Sequence, residues 1–164
     1  MVKEIKDKSN QDVLLYVYSL LKRLGCGKVN TFEQRLKSQK VQYFAQLFGV
    51  SLRYQYNLYL NGPYSPGLAH DLYQIKELKM KPMLEKFIPE ELEQKFNDTK
   101  KFVKGLSVRE LEITATYHWL LKIVKMTTEE TCKKLIEWKG ATQKELDLSK
   151  NKLKQYEQIK KSYS

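Results

Sequence analysis

Two groups of residues in this sequence have the types and spacing for chemistry. His70 and Asp71 follow closely on the pair Gly62-Pro63, and a carboxylate beside an imidazole can orient it or raise its basicity, as a hydrolase requires. Neighbouring helical residues point about 100° apart, so the two need not touch, and a structural or surface role for His70 competes with the catalytic one. Arg35, Lys37 and Lys40 make the second group, with Lys37 and Lys40 three apart on one face of a helix. Arg53 lies just ahead of Tyr54 and Tyr56. Cations interleaved with tyrosines suit phosphate contact and base stacking. The same tyrosines would also serve as the inner face of a strand packed on a helix, and this is the reading expected for Tyr56.

Little else offers a reaction. There is no phosphate-binding loop, dinucleotide fingerprint, zinc-type Cys/His spacing or nucleophile elbow. His118 falls between Tyr117 and Trp119, where a satisfied, half-buried histidine is the simpler role. Glu110 and Glu112 are two apart and diverge, as do Glu145 and Asp147, so no set of convergent acids for a metal-dependent nuclease emerges. No metal, cofactor or enzymatic activity is therefore expected. Cys26 and Cys132 are far apart and read as reduced packing thiols of a cytoplasmic protein, with a disulfide between them left open.

The elements that would position these residues are mostly helices with well-marked ends. Ser9 precedes an apolar series at Val13, Leu14, Val17, Leu20, Leu21 and Leu24, which Gly25-Cys26-Gly27 stops. Thr31 and Gln34 form a capping-box pattern ahead of a helix with Phe32, Leu36, Tyr43, Phe44 and Leu47 on its apolar side. Residues 51–60, from Ser51 to Leu60, alternate Tyr54, Tyr56 and Leu58 with polar residues, a strand period that predicts one arm of a small sheet or hairpin. Gly62-Pro63 then turns the chain, and Ser65 caps a helix with Pro66 at its first position and Leu68, Leu72 and Ile75 on one stripe.

Lys81-Pro82 interrupts that pattern, and Pro89 opens another helix with Glu90, Glu91 and Glu93 near its positive end. Ser107 with Glu110, Thr127 with Glu130 and Thr142 with Glu145 repeat the capping box before three more helices, with Gly140 marking a break. The lysine-rich end, residues 150–164, is expected to fray.

At 164 residues, 41% of them hydrophobic, the chain is read as one globular domain, 1–164. No apolar run approaches the roughly 20 residues that cross a bilayer, and the charged start lacks the apolar stretch of a signal peptide, so no membrane partner is expected. The formal net charge of +11 favours a polyanion, either nucleic acid or an acidic protein. Its carriers are overwhelmingly lysines, which suit phosphates better than the bidentate reading of guanine. A lysine coat reflecting heat adaptation or compositional bias is the competing account of the same charge.

Three separated segments carry a likeness. Arg35-Leu36-Lys37-Ser38-Gln39-Lys40, then Leu60-Asn61-Gly62-Pro63-Tyr64-Ser65-Pro66 with Leu68-Ala69-His70-Asp71-Leu72, then Arg109-Glu110-Leu111-Glu112-Ile113-Thr114-Ala115-Thr116-Tyr117-His118 occur in order. Together they resemble the YwgA-like family, a largely uncharacterised group of small bacterial and archaeal proteins. Leu60-Asn61 before Gly-Pro is a mild departure from that family's pattern. More distantly, the turn is similar to the Panacea antitoxin domain, a likeness that implies a non-enzymatic module binding a partner protein, sometimes alongside DNA. The family supplies no catalytic residues to carry over.

The expected architecture is thus a compact, mainly α domain with a small β-hairpin or sheet, arranged like a winged helix, with the strand pair as the wing. The leading functional expectation is a non-catalytic DNA-binding or regulatory module using Arg35, Lys37, Lys40, Arg53 and Tyr64. The alternative is an antitoxin-like interaction module whose acidic partner docks on Gly62, Pro63, Tyr64, Ser65 and His70. A hydrolase built on His70 and Asp71 is the third.

Overall fold

Local signals set the ends of the helices. The computed structural model describes residues 10–50, 52–81 and 89–164. Ser9, Ser51 and Pro82, on which expectations rest, lie outside them, as does the charged start of the chain. The helices are α1 (Asn10–Arg23), α2 (Phe32–Leu47), α3 (Pro66–Glu77), α4 (Glu93–Val103), α5 (Val108–His118), α6 (Thr128–Lys139) and α7 (Gln143–Ser162). A 3₁₀ turn, Glu90–Leu92, leads into α4, and a π turn, Trp119–Ile123, continues α5. Each of the four expected capping boxes is made, ahead of α2, α5, α6 and α7. Ser65 caps α3 with Pro66 at its first position, and Gly140 ends α6 in the left-handed conformation.

The fold is mainly helical with one two-stranded antiparallel hairpin, β1 (Asn57–Tyr59) and β2 (Gly62–Tyr64), paired Asn57 to Tyr64, Leu58 to Pro63 and Tyr59 to Gly62. The turn therefore falls at Leu60-Asn61. Gly62-Pro63, expected to be the turn, is the start of the second strand. The first strand is also shorter than its alternation suggests. Arg53 adopts a positive φ of 58°, and pairing begins only at Asn57, although residues 52–58 still alternate between half-buried and exposed.

Two helices, α2 and α5, form the centre. Their facing stretches are buried nearly all round: Ser38 to Ala45 on α2 and Leu111 to His118 on α5. Polar side chains enclosed in this way need hydrogen-bond partners. Ser38 Oγ donates to the Cys26 carbonyl at 2.8 Å, and Thr114 and Ser149 share a hydroxyl contact at 3.2 Å. One apolar cluster joins α1, α2, α3, α4 and the Leu111 and Ala115 side of α5 around Phe44, Phe48 and Phe102, and a second joins the other side of α5 with α6 and α7 around Tyr117, Leu135 and Leu146.

Two expectations are corrected here. The hairpin is not a wing, because β2 is wedged against α2 and α5 with Gly62 and Pro63 buried. The lysine-rich end, expected to fray, is helical to Ser162. Its apolar stripe of Leu153, Tyr156, Ile159 and Tyr163 packs on the body, and the Tyr163 hydroxyl donates to Asp98 at 2.6 Å. Among the described residues no helix is long and apolar enough to cross a membrane.

Candidate functional site

The three segments that stand out in the sequence converge on one buried polar interlock. Gln39 on α2 holds both backbone groups of Ser65: its Nε2 donates to the Ser65 carbonyl at 2.8 Å, and its Oε1 accepts from the Ser65 N–H at 2.9 Å. The next residue, Lys40, donates from Nζ to the Pro63 carbonyl at 2.6 Å and is wholly buried. From the other side, Gly62 lies on α5. A Cβ at Gly62 would come within 2.3 Å of Thr116 Oγ1, and its φ of 81° suits glycine. Glu112, one turn before Thr116, pairs with Lys139 of α6 at 2.7 Å, and Lys139 also donates to the Leu60 carbonyl at 2.6 Å. The hairpin is thereby tied to α2, α5 and α6.

Burial shapes the ionisation of this region. Desolvation lowers Lys40 to about 7, with Glu112 opposing the shift and Lys139 adding to it. Tyr43 and His118 Nδ1 share a 2.6 Å hydrogen bond between the central helices. Desolvation brings His118 down to about 4, helped by Lys122 and opposed by Glu157. Burial raises the Tyr43 hydroxyl, with the nearby Tyr156 adding to the shift. A neutral histidine in a closed aromatic cluster is a packing residue.

The predicted functional residues therefore separate. Lys40 cannot meet a phosphate, because its charge is enclosed beneath β2; this overturns its assignment to a nucleic-acid surface. Gly62, Pro63 and Ser65 are buried too, which removes them from the expected partner surface. His70 is exposed on α3, while the Asp71 carboxylate accepts from the Tyr54 hydroxyl at 2.6 Å, which gives that carboxylate a structural task. Arg53 is exposed on the segment before β1. Cys26 donates from Sγ to the Leu21 carbonyl, and burial pushes its thiol up to about 12; both cysteines are free.

Arg35, Lys37 and Tyr64 remain accessible, on two different concavities. Lys37 belongs to a cleft of about 530 Å³ between the end of α1, α2 and α4. Its other polar walls are Gln94, Asn97, Lys100, Lys101 and Lys104, and no carboxylate lines it among the described residues. Gln94, Asn97, Lys101 and Lys104 succeed one another along one stripe of α4. The three lysines of α4 and its C-cap were not singled out from sequence. Their signal is a repeat of lysines at helical spacing near a helix C-terminus, where the dipole alone would also favour them. Arg35 and Tyr64 share a smaller pocket between α2, β2 and α3.

Comparison with known proteins finds no matching family model, no matching curated protein and no matching solved structure.

Proposed function

We propose that this protein is a non-catalytic nucleic-acid-binding module, most simply for DNA, whose lysine cleft between α2 and α4 takes the sugar–phosphate backbone. The observation that carries this reading is the cleft itself: Lys37, Lys100, Lys101 and Lys104 converge on one concavity with two neutral amides and, among the described residues, no acid. Lysine presents a point charge to phosphate, and the Asn97 amide adds a neutral donor without imposing sequence, while Gln94 Nε2 is spent on the Asp98 carboxylate. A net charge of +11 supplies the long-range attraction. We also propose kinship with the YwgA-like family. Its support is that the three resembling segments meet in one interlock, as a shared way of seating the hairpin would require.

Fluorescence anisotropy with a random-sequence duplex, titrated from low to physiological salt, tests the reading. Sub-micromolar binding near physiological salt is expected, with a steep dependence on salt concentration. Replacing Lys100, Lys101 and Lys104 with alanine should flatten the logarithmic slope by about 0.9 for every phosphate left without its lysine. Unchanged affinity and slope in that variant would remove the cleft from the interface. Binding that vanishes well below physiological salt would make the charge a solvated coat and point to an acidic protein partner.

A further inference from the structure

The pocket between α2, β2 and α3 is walled by rings. It encloses about 200 Å³ and is lined by Phe32, Tyr64 and Tyr73 over Leu36, Ala69 and Leu72, with Arg35 at its edge. Phe32, expected on the apolar side of α2, is 62% exposed, and Tyr73 is 51% exposed. Tyr59 packs edge-on against Tyr64 at 5.6 Å and extends the aromatic surface beyond the rim. Large exposed rings gathered around a concavity cost a protein solubility unless they meet a ligand.

The cations around these rings identify the ligand class. The Arg35 guanidinium lies 4.8 Å from the Tyr73 centroid, and Lys76 Nζ lies 5.8 Å from the same ring. Arg35 Nη1 is held by the carbonyls of Val29 at 3.0 Å and Asn30 at 2.9 Å. Its Nε and Nη2 make no hydrogen bond among the described residues, so the guanidinium is fixed with one donor edge free. That edge matches two oxygens of one phosphate. The pocket is smaller than the range of about 300–1,000 Å³ that holds a drug-sized ligand, and therefore suits a single ring system.

We propose that this pocket takes one unpaired nucleobase of a single-stranded nucleic acid, stacked on Phe32, with its flanking phosphates on Arg35 and Lys76, which the Tyr73 ring supports. The proposal rests on the nucleic-acid reading above but occupies a separate surface from the lysine cleft. Cations set beside an exposed ring suit a single strand, whose phosphates and bases alternate. The pocket stacks bases with little discrimination among them. The one amide lining it, Gln39, spends both its polar atoms on the backbone of Ser65.

The test compares labelled (dT)8 with an abasic oligomer carrying the same number of phosphates, at one salt concentration. The expected result is at least roughly five-fold tighter binding of (dT)8, with (dA)8 close to it. Phe32→Ala should erase the preference while leaving abasic affinity unchanged, whereas Tyr73→Ala, which removes the ring that carries Arg35 and Lys76, should weaken both oligomers; both side chains are exposed, so folding is not at stake. Replacing the cleft lysines, which lie on a separate surface, should leave the preference for (dT)8 over the abasic oligomer intact. Equal binding of the two oligomers, with duplex binding intact, overturns the pocket and leaves the cleft standing. Failure of every nucleic acid to bind overturns both. Phe32-dependent binding of an acidic, tyrosine-rich peptide, with no preference for (dT)8 over the abasic oligomer, overturns the nucleobase and assigns the pocket to a protein.

Discussion

Lys40 Nζ lies 2.6 Å from the carbonyl oxygen of Pro63, a lysine fully enclosed by the strand it supports. The lysine thus serves as a peg between α2 and the hairpin. Truncation leaves the Pro63 carbonyl without its donor and opens a void beneath β2. Lys40→Ala should lower stability by roughly 3 kcal/mol or more, measured by urea denaturation. The salt slope of nucleic-acid binding by the folded variant should not change, whereas Lys37→Ala should reduce it by about 0.9. A reduced slope in Lys40→Ala would mean that the hairpin opens to expose the charge.

Lys40 also sets a pH dependence. In the folded protein its pKa is about 7 against an ordinary 10.5. Between those values the unfolded chain carries the proton and the folded one does not, so stability rises with pH. A gain on the order of 1 kcal/mol per pH unit is expected between pH 7 and 9, below the titration of tyrosines. Lys40→Met should flatten this slope in denaturation curves collected across that window.

His118 acts in the same sense at lower pH. Its folded pKa of about 4 lies below the ordinary 6.5, so the unfolded state binds the extra proton between them. Stability is then full above pH 6.5 and falls as pH drops toward 4, by on the order of 3 kcal/mol in all. The acid-side loss should shrink in His118→Gln, which keeps a polar partner for Tyr43 and does not titrate.

Gly62 and Thr116 are complementary in shape. Gly62→Ala adds a Cβ 2.3 Å from Thr116 Oγ1 at a φ of 81°. A loss of more than about 2 kcal/mol is expected, from the clash and the left-handed backbone together. Adding Thr116→Ala should restore the part due to the clash, and a double-mutant cycle reads the coupling. Strict additivity would contradict the contact.

Tyr163 anchors the chain's end through Asp98, which is buried. Tyr163→Phe should cost about 1–2 kcal/mol, because it removes one charge-assisted hydrogen bond. Amide hydrogen exchange along the last two turns of α7 would speed up in the variant. Equally fast exchange in the unaltered protein would show that the anchor does not hold.

The helix boundaries were legible in the sequence because caps are local. Thr31 with Gln34, Ser107 with Glu110, Thr127 with Glu130 and Thr142 with Glu145 interact across three residues, so their chemistry needs no knowledge of the rest of the fold. Ser65 and Pro66 belong to the same class. The residue alternation before β1 was legible too, although where pairing begins was not, because a positive φ at Arg53 has no marker in sequence.

Solvation of side chains was a tertiary decision. Lys37 and Lys40 look alike in sequence and share a helical face, yet one lines an open cleft and the other lies under a strand, because β2 happens to cover the second. Phe32 had the spacing of a core residue but is the first residue of α2 and lines the open pocket against α3, where it stays 62% exposed. The cleft brings Lys37 beside Lys100, Lys101 and Lys104, which lie far along the chain. Sequence determined which segments are helices, since that depends on neighbours in the chain; only the packing of α4 and the hairpin on α2 decided which charges and rings face solvent, since that depends on neighbours in space.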